Sequence, residues 1–186
     1  MLIAREFTKD DELMLRQMID EINSTDANFE GLNNISNIVN YDDFLVMLEK
    51  NKHQELIKPE YSPQTTFGVF DNDRLIGGFN LRHVIKGNLI NHGGNIGYLI
   101  RPSERGKGYG TKMLHHALEK ADELGLEKVL VSCRVENISS MKVIENNGGN
   151  YENDYFEEET GKTFKRYWID VKKELLRNNS SSLKNK

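Results

Sequence analysis

Gly97-Tyr98-Leu99-Ile100-Arg101-Pro102-Ser103-Glu104-Arg105-Gly106-Lys107-Gly108-Tyr109-Gly110-Thr111 is the stretch around which the rest of the chain is organised. Residues 97–100 have the apolar character of a strand end, and Pro102 stops the strand because proline lacks the N–H that a ladder needs. Over 111–124 apolar residues recur at helical spacing, so the glycines stand where a helix begins. A helix start presents unpaired N–H groups and the positive end of the macrodipole, and glycine lets an anion approach them closely. With Arg105 and Lys107 adding charge, the stretch reads as a phosphate cradle.

Spacing separates the phosphate motifs that compete for this turn. A Walker A loop needs a glycine where Arg101 stands and a Ser or Thr where Gly108 follows Lys107. The second Gly-Lys pair, Gly161-Lys162-Thr163, has Phe156 at the first-glycine position, so it fails as well. A dinucleotide fingerprint wants Gly-x-Gly-x-x-Gly, whereas Gly106, Gly108 and Gly110 are spaced two and two. What remains is Arg-x-x-Gly-x-Gly, carried by Arg105, Gly108 and Gly110 between a strand and an amphipathic helix. This resembles the pyrophosphate loop of the GNAT superfamily of N-acetyltransferases, and the resemblance implies an acyl-coenzyme A site.

The composition fits that chemistry. A chain of 186 residues with 37% hydrophobic residues suits one domain with a real core, expected over 1–172, and a polar tail over 173–186 expected to be disordered at its end. A net charge of −4 argues against a nucleic-acid binder. One cysteine, Cys133, excludes an internal disulfide framework, and no apolar run is long enough for a membrane span or a signal segment. The expectation is a cytoplasmic protein that binds neither nucleic acid nor membrane.

In chain order, residues 2–7 read as a strand, and Thr8-Lys9-Asp10-Asp11 as a helix start with acids at the positive helix end. Met14, Leu15, Met18, Ile19 and Ile22 then form one apolar stripe. Residues 24–40 are polar and Asn-rich, with Phe29, Leu32, Ile35 and Ile38 as apolar anchors, and read as a loop with short helical turns. A helix over 41–50 follows, and Pro59 and Pro63 bracket a further loop. Residues 65–70 and 75–82 form a predicted hairpin across Asp71-Asn72-Asp73-Arg74, with Gly77 and Gly78 marking a bulge or close backbone approach. The helix after the phosphate loop carries His115 and His116, which point in different directions and make poor joint metal ligands. No metal site is expected. Val129-Leu130-Val131-Ser132-Cys133-Arg134-Val135 reads as a buried strand, and 151–158 with 163–171 as a last hairpin.

Between those strands lies a second motif. Asn137, Ser140 and the pair Gly148-Gly149 are similar, in order and spacing, to the strand, Asn-x-x-Ser, short helix and glycine-opened strand of the same superfamily. Asn137 and Ser140 also suit a helix cap. The resemblance implies a mixed α+β sandwich: a central, mostly antiparallel mixed sheet of about seven strands flanked by about four helices. It further implies acetyl-coenzyme A as co-substrate, held by Leu99, Ile100, Arg105, Gly106, Lys107, Gly108, Tyr109, Gly110, Thr111, Asn137 and Ser140. The strand ending near Leu99 and Ile100 is expected to splay from the Val129 strand and supply an oxyanion N–H. The region between the first strand and the second is expected to cover the acceptor, and a homodimer is compatible with the family.

The acid and base depart from the family pattern. Many members place a tyrosine seven residues after the motif asparagine, where this chain has Ile144, and many carry a Glu near the position of Asn95. Neither residue moves a proton at neutral pH. His92, Tyr98 and Tyr151 are the substitutes suggested by chemistry and by nearness to the cofactor strands, and Cys133 is a candidate only if a base activates it. Two readings stay open: an N-acetyltransferase acting on a primary amine of a small molecule or peptide, and an acyl-coenzyme A-binding module that has lost catalysis.

Overall fold

The computed structural model describes residues 2–25, 32, 35 and 38–184. Its strands fall into two sheets. The first has the order β1 (Leu2–Glu6), β2 (Gln64–Asp71), β3 (Arg74–Arg82), β4 (Ile96–Ile100). The second contains β5 (Lys128–Arg134), β6 (Asn150–Glu157) and β7 (Lys162–Asp170), with β7 in the middle. Every ladder is antiparallel. The five α-helices are α1 (Glu12–Thr25), α2 (Tyr41–Asn51), α3 (Tyr109–Glu123), α4 (Ile138–Asn146) and α5 (Val171–Lys184). The class is α+β, as the sequence implies.

Strand periodicity explains how one sheet serves two cores. Phe67, Val69, Phe79 and Leu81 join Met113, Leu114, Ala117 and Leu118 of α3, together with β5 and β7 residues. Phe70, Leu75 and Leu99 join the α1 stripe of Leu15, Met18, Ile19 and Ile22 and the α2 residues Phe44 and Leu48. Leu32 and Ile35 are buried in this second core; Phe29, Asn33, Asn34 and Asn37 of the predicted Asn-rich loop lie outside the described residues. The Gly77-Gly78 expectation is met in both respects. The register slips between Val69 and Phe70, leaving Ile76 as the extra residue, and a Cβ on Gly77 would run into the Leu99 carbonyl.

The expected single central sheet is interrupted between β4 and β5. These strands are joined at one end, where Asn95 N–H donates to the Leu130 carbonyl at 2.7 Å and Asn95 Oδ1 accepts from Leu130 N–H at 2.8 Å. A Cβ on Gly94 would collide with the same carbonyl, so glycine is what permits this approach. From the clamp both strands run toward one cavity, which Ile100 and Arg134 border. They form no ladder on the way, and the gap between them is the structural basis of the site.

The tail is a correction. Val171–Lys184 is a helix rather than a polar tail, and only the last two residues lie outside the described residues. Val171 and Glu174 are buried. Asp170 Oδ1 accepts from Lys173 N–H, Arg177 donates to the Asn146 carbonyl, and Asn178 reaches both Glu174 and His115. Apolar periodicity could not reveal an attachment made through polar side chains.

Candidate functional site

A cavity of about 550 Å³ opens between the end of β4, the start of α3 and the first turns of α4. Its shape begins with backbone conformation. Gly106 and Gly108 have φ of +76° and +79°, the left-handed region that glycine enters without strain, and Gly108 is the N-cap of α3. No atom lies within 4 Å of the place where a Cβ would stand on either, so their role is conformational. Gly110 differs: a Cβ there would come within 2.9 Å of Val143 Cγ2, so its lack of a side chain lets α4 pack against α3.

The turn is strapped from three sides. Buried Arg101 donates to Glu21 Oε2 at 2.9 and 2.6 Å, and the Ser103 N–H donates to Glu21 Oε1 at 2.6 Å. Burial alone would raise the Glu21 pKa, but the Ser103 bonds and the Arg101 guanidinium outweigh it and hold the carboxyl at about 2. Glu104 pairs with Lys107 at 2.9 Å and Arg74 at 2.8 Å, and these partners keep its pKa below the usual carboxylate range. Tyr109 donates from its hydroxyl to Asp71 Oδ2 at 2.7 Å. Helix α1 and the β2–β3 turn thus position the loop.

Of the residues expected to hold the cofactor, Leu99, Ile100, Arg105, Gly106, Gly108, Tyr109, Gly110, Thr111, Asn137 and Ser140 border the cavity. Lys107 does not; its ammonium is turned to Glu104. Arg105 donates from Nε to the Ile100 carbonyl at 3.0 Å. Asn137 is the N-cap of α4, its side chain accepting from Ser140 N–H at 3.0 Å, so the capping role and the place at the cavity coexist. Sequence reasoning missed Arg134, Ser139, Lys142 and Val143. Their signal was present: Ser139, Lys142 and Val143 stand at i, i+3 and i+4 on one helix face, and Arg134 ends the strand three residues before Asn137.

The proton-transfer candidates separate. Tyr98 borders the cavity and shares a 2.7 Å hydrogen bond with Ser140 Oγ; burial pushes its pKa up, so the phenol keeps its proton. His92 does not border it. Its Nε2 lies 2.6 Å from Glu157 Oε1, and its ring stacks on Phe164 with centroids 4.9 Å apart. Tyr151 is exposed on β6 and donates to Asp154 at 3.1 Å. Burial pushes the Cys133 thiol up to about 11, away from a reactive thiolate. Ile144 is fully buried in the core. Asn95 spends its groups on the clamp, donating also from Nδ2 to the Arg82 carbonyl at 3.2 Å.

Backbone polarity in the gap follows from the ladder. Arg82 N–H donates to Asn95 O and Arg101 N–H to Ile76 O, so antiparallel alternation directs Gly97 and Leu99 toward β3. The N–H groups of Tyr98 and Ile100 therefore face β5. Around the cavity stand three cations, Arg105, Arg134 and Lys142, against one acid, Glu104, which is already paired. This balance and the open α3 N-terminus fit a phosphate-bearing ligand. Among the described residues no group of His, Cys, Asp or Glu could hold a metal ion, and no helix is long and apolar enough to cross a membrane.

Comparison with known proteins bears on this geometry. A profile of the acetyltransferase (GNAT) domain matches residues 2–150. Solved structures with a similar fold include a chimera of the Vibrio cholerae spermidine N-acetyltransferase SpeG and hSSAT, at 24% identity over 94% of this chain and 98% of that one, TM-score 0.65. The Vibrio cholerae spermidine N-acetyltransferase in a dodecameric intermediate state is 23% identical over 95% of this chain and 97% of that one, TM-score 0.62. A putative acetyltransferase from Salmonella typhimurium, yncA, solved with its cofactor acetyl-CoA, is 14% identical over 91% of this chain and 94% of that one, TM-score 0.62. No curated protein matches the sequence significantly.

Proposed function

The chain belongs to the GNAT acetyltransferase family, and we propose that it transfers an acetyl group from acetyl-coenzyme A to a primary amine of a small molecule or peptide. The observation that carries this reading is the coincidence of two features at one cavity: the glycine-built N-terminus of α3, and the gap where β4 and β5 part. When bound, acetyl-coenzyme A supplies a thioester carbonyl open to attack by an uncharged amine.

The remaining work falls to this chain's own atoms. The α3 N-terminus, Arg105, Arg134 and Lys142 hold the phosphates, and Asn137 and Ser140 bound the cavity on the α4 side. The N–H groups of Tyr98 and Ile100 are placed to stabilise negative charge on the carbonyl oxygen, a contribution of about 3 kcal/mol for one such donor. As the C–N bond forms and the C–S bond breaks, the amine loses a proton and the departing sulfur gains one. Tyr98, neutral and held by Ser140, is the side chain positioned to donate at the sulfur. The amine's proton leaves through solvent, because neither Asn95 nor Ile144 can take it.

Release of free thiol from acetyl-coenzyme A across a panel of amines tests the reaction, with thermal unfolding in acetyl-coenzyme A, ATP or NAD as the binding test. Selective stabilisation by acetyl-coenzyme A together with turnover supports the reading; an equal shift from ATP would overturn the cofactor assignment. Stabilisation without turnover on any amine would instead favour the non-catalytic binding module, which the burial of Ile144 and the structural use of Asn95 make the second reading. A cytoplasmic location and self-assembly belong to the same proposal, and light scattering checks the latter.

A further inference from the structure

The sheet face opposite α3 carries unsatisfied donors. Asn80 and Arg82 alternate along β3 with Phe79 and Leu81, which pack against α3, so they point the other way. By the same alternation Ser132 and Arg166 share that face on β5 and β7, between Val131, Cys133 and Tyr167 of the α3-side core. Arg82 is 6% exposed, and its side-chain hydrogen bonds run from one nitrogen, Nη1, to the carbonyls of Gly93 at 3.3 Å and Gly94 at 2.9 Å. No carboxylate pairs with it among the described residues. Asn80, 1% exposed, bonds Thr66 through Oδ1 and leaves Nδ2 buried without a partner. Arg166 Nε is also buried and unpartnered, although its terminal nitrogens reach Asn153 and Glu152.

A buried guanidinium with no counterion is costly, and burial pushes the Arg82 pKa down to about 10, which leaves it charged at neutral pH. Of the acids near this face among the described residues, Glu152 pairs with Arg166, and Glu157 Oε1 lies 2.6 Å from His92 Nε2. The position is also apt. Asn80 pairs across the ladder with Gly97, which has no side chain to screen the β4–β5 gap, and the next residue, Tyr98, borders the cavity.

We infer that the acetyl acceptor is an amine bearing a carboxylate, an amino acid or peptide, whose carboxylate is bound by Arg82 with Asn80 beside it. This rests on the acetyl-transfer reading for the reaction, but not for the binding. A guanidinium matches a carboxylate in a bidentate pair, whereas a polyamine has no carboxylate to offer it and would set like charge beside Arg82.

The test uses thermal unfolding and steady-state kinetics of the full chain, with and without coenzyme A. α-Amino acids and dipeptides are each set beside the amine lacking the carboxylate, with spermidine and O-phosphoethanolamine included. The carboxylate-bearing amines are expected to stabilise the protein and to be acetylated with kcat/KM on the order of 10- to 100-fold above their decarboxylated counterparts. Arg82→Met should abolish that preference and keep the shift from acetyl-coenzyme A. Asn80→Asp, which gives Arg82 an internal counterion, should also lose the preference. Spermidine or O-phosphoethanolamine preferred over every carboxylate, or a preference unchanged in both variants, would overturn the inference. Loss of the acetyl-coenzyme A shift in the wild type would instead strike the cofactor assignment, and carboxylate binding lost in Arg82→Met would still support the present one.

Discussion

The two faces of the β4–β5 gap are built on opposite terms. Around the phosphate loop the side chains are committed: Lys107 and Arg74 to Glu104, Tyr109 to Asp71, Arg105 to the Ile100 carbonyl, with Arg101 tied to Glu21 of α1. Among the described residues on the other face, Arg82 bonds only carbonyls and Asn80 Nδ2 is buried without a partner. A satisfied network fixes a backbone; a buried donor without a protein partner calls for an acceptor, water or ligand, to fill it. The first site therefore rests on loop geometry with cations at its border, and the second on side-chain chemistry alone.

If geometry rules the first face, the largest effect should come from Gly108→Val. The position has open space but a φ of +79°, so the substitution meets no neighbour and strains the backbone itself. Affinity for acetyl-coenzyme A should fall by more than about 100-fold, read by calorimetry, while the far-UV circular dichroism spectrum stays that of the wild type. Unchanged affinity would sink the cradle assignment.

Next is the strap. Glu21 and Arg101 side chains are 21% and 7% exposed, and removing one charge leaves the other buried and unpaired. Glu21→Gln should cost about 2–3 kcal/mol in chemical denaturation at neutral pH. The sign with pH follows from the depressed pKa: the stabilisation is full above the ordinary value of 4.5 and is lost as pH falls toward 2. Wild type should lose stability steeply across that window, and Glu21→Gln should show a shallower loss. Parallel curves would mean the pair contributes little.

A smaller effect is expected from Tyr98→Phe, which keeps the ring and removes the hydroxyl bonded to Ser140. If the phenol protonates the departing sulfur, kcat should drop roughly tenfold or more with the KM for acetyl-coenzyme A nearly unchanged. An equal rise in KM alone would make Tyr98 a binding group.

The same contrast explains what could be read from the sequence. The α3 face is local in sequence: strand, glycines and helix lie within one stretch, so motif spacing identified most of the residues that border the cavity. Arg134 and Lys142 escaped because they reach the cavity from an adjoining strand and helix. The opposite face joins β3 to β7, and what surrounds Arg82 is set by residues far apart in the sequence. Asn95 shows the limit from the other side. Its sequence position suggested a lost base, but its atoms close the end of the gap. His92 and Tyr151, near the cofactor strands in sequence, are carried instead to β6 and β7.

The smallest effect separates geometry from chemistry at a single residue. Asn137 caps α4 and borders the cavity, so Asn137→Ala should cost about 1 kcal/mol of stability whatever its second role. Asn137→Ser decides between the two. Serine is as good a cap, so a purely structural Asn137 predicts that both stability and acetyl-coenzyme A affinity return to wild type. A side chain that also bonds the ligand predicts restored stability with affinity still reduced, because the shorter hydroxyl cannot cap Ser140 N–H and reach into the cavity together. The melting midpoint and the binding isotherm of the same two variants therefore report the two roles independently.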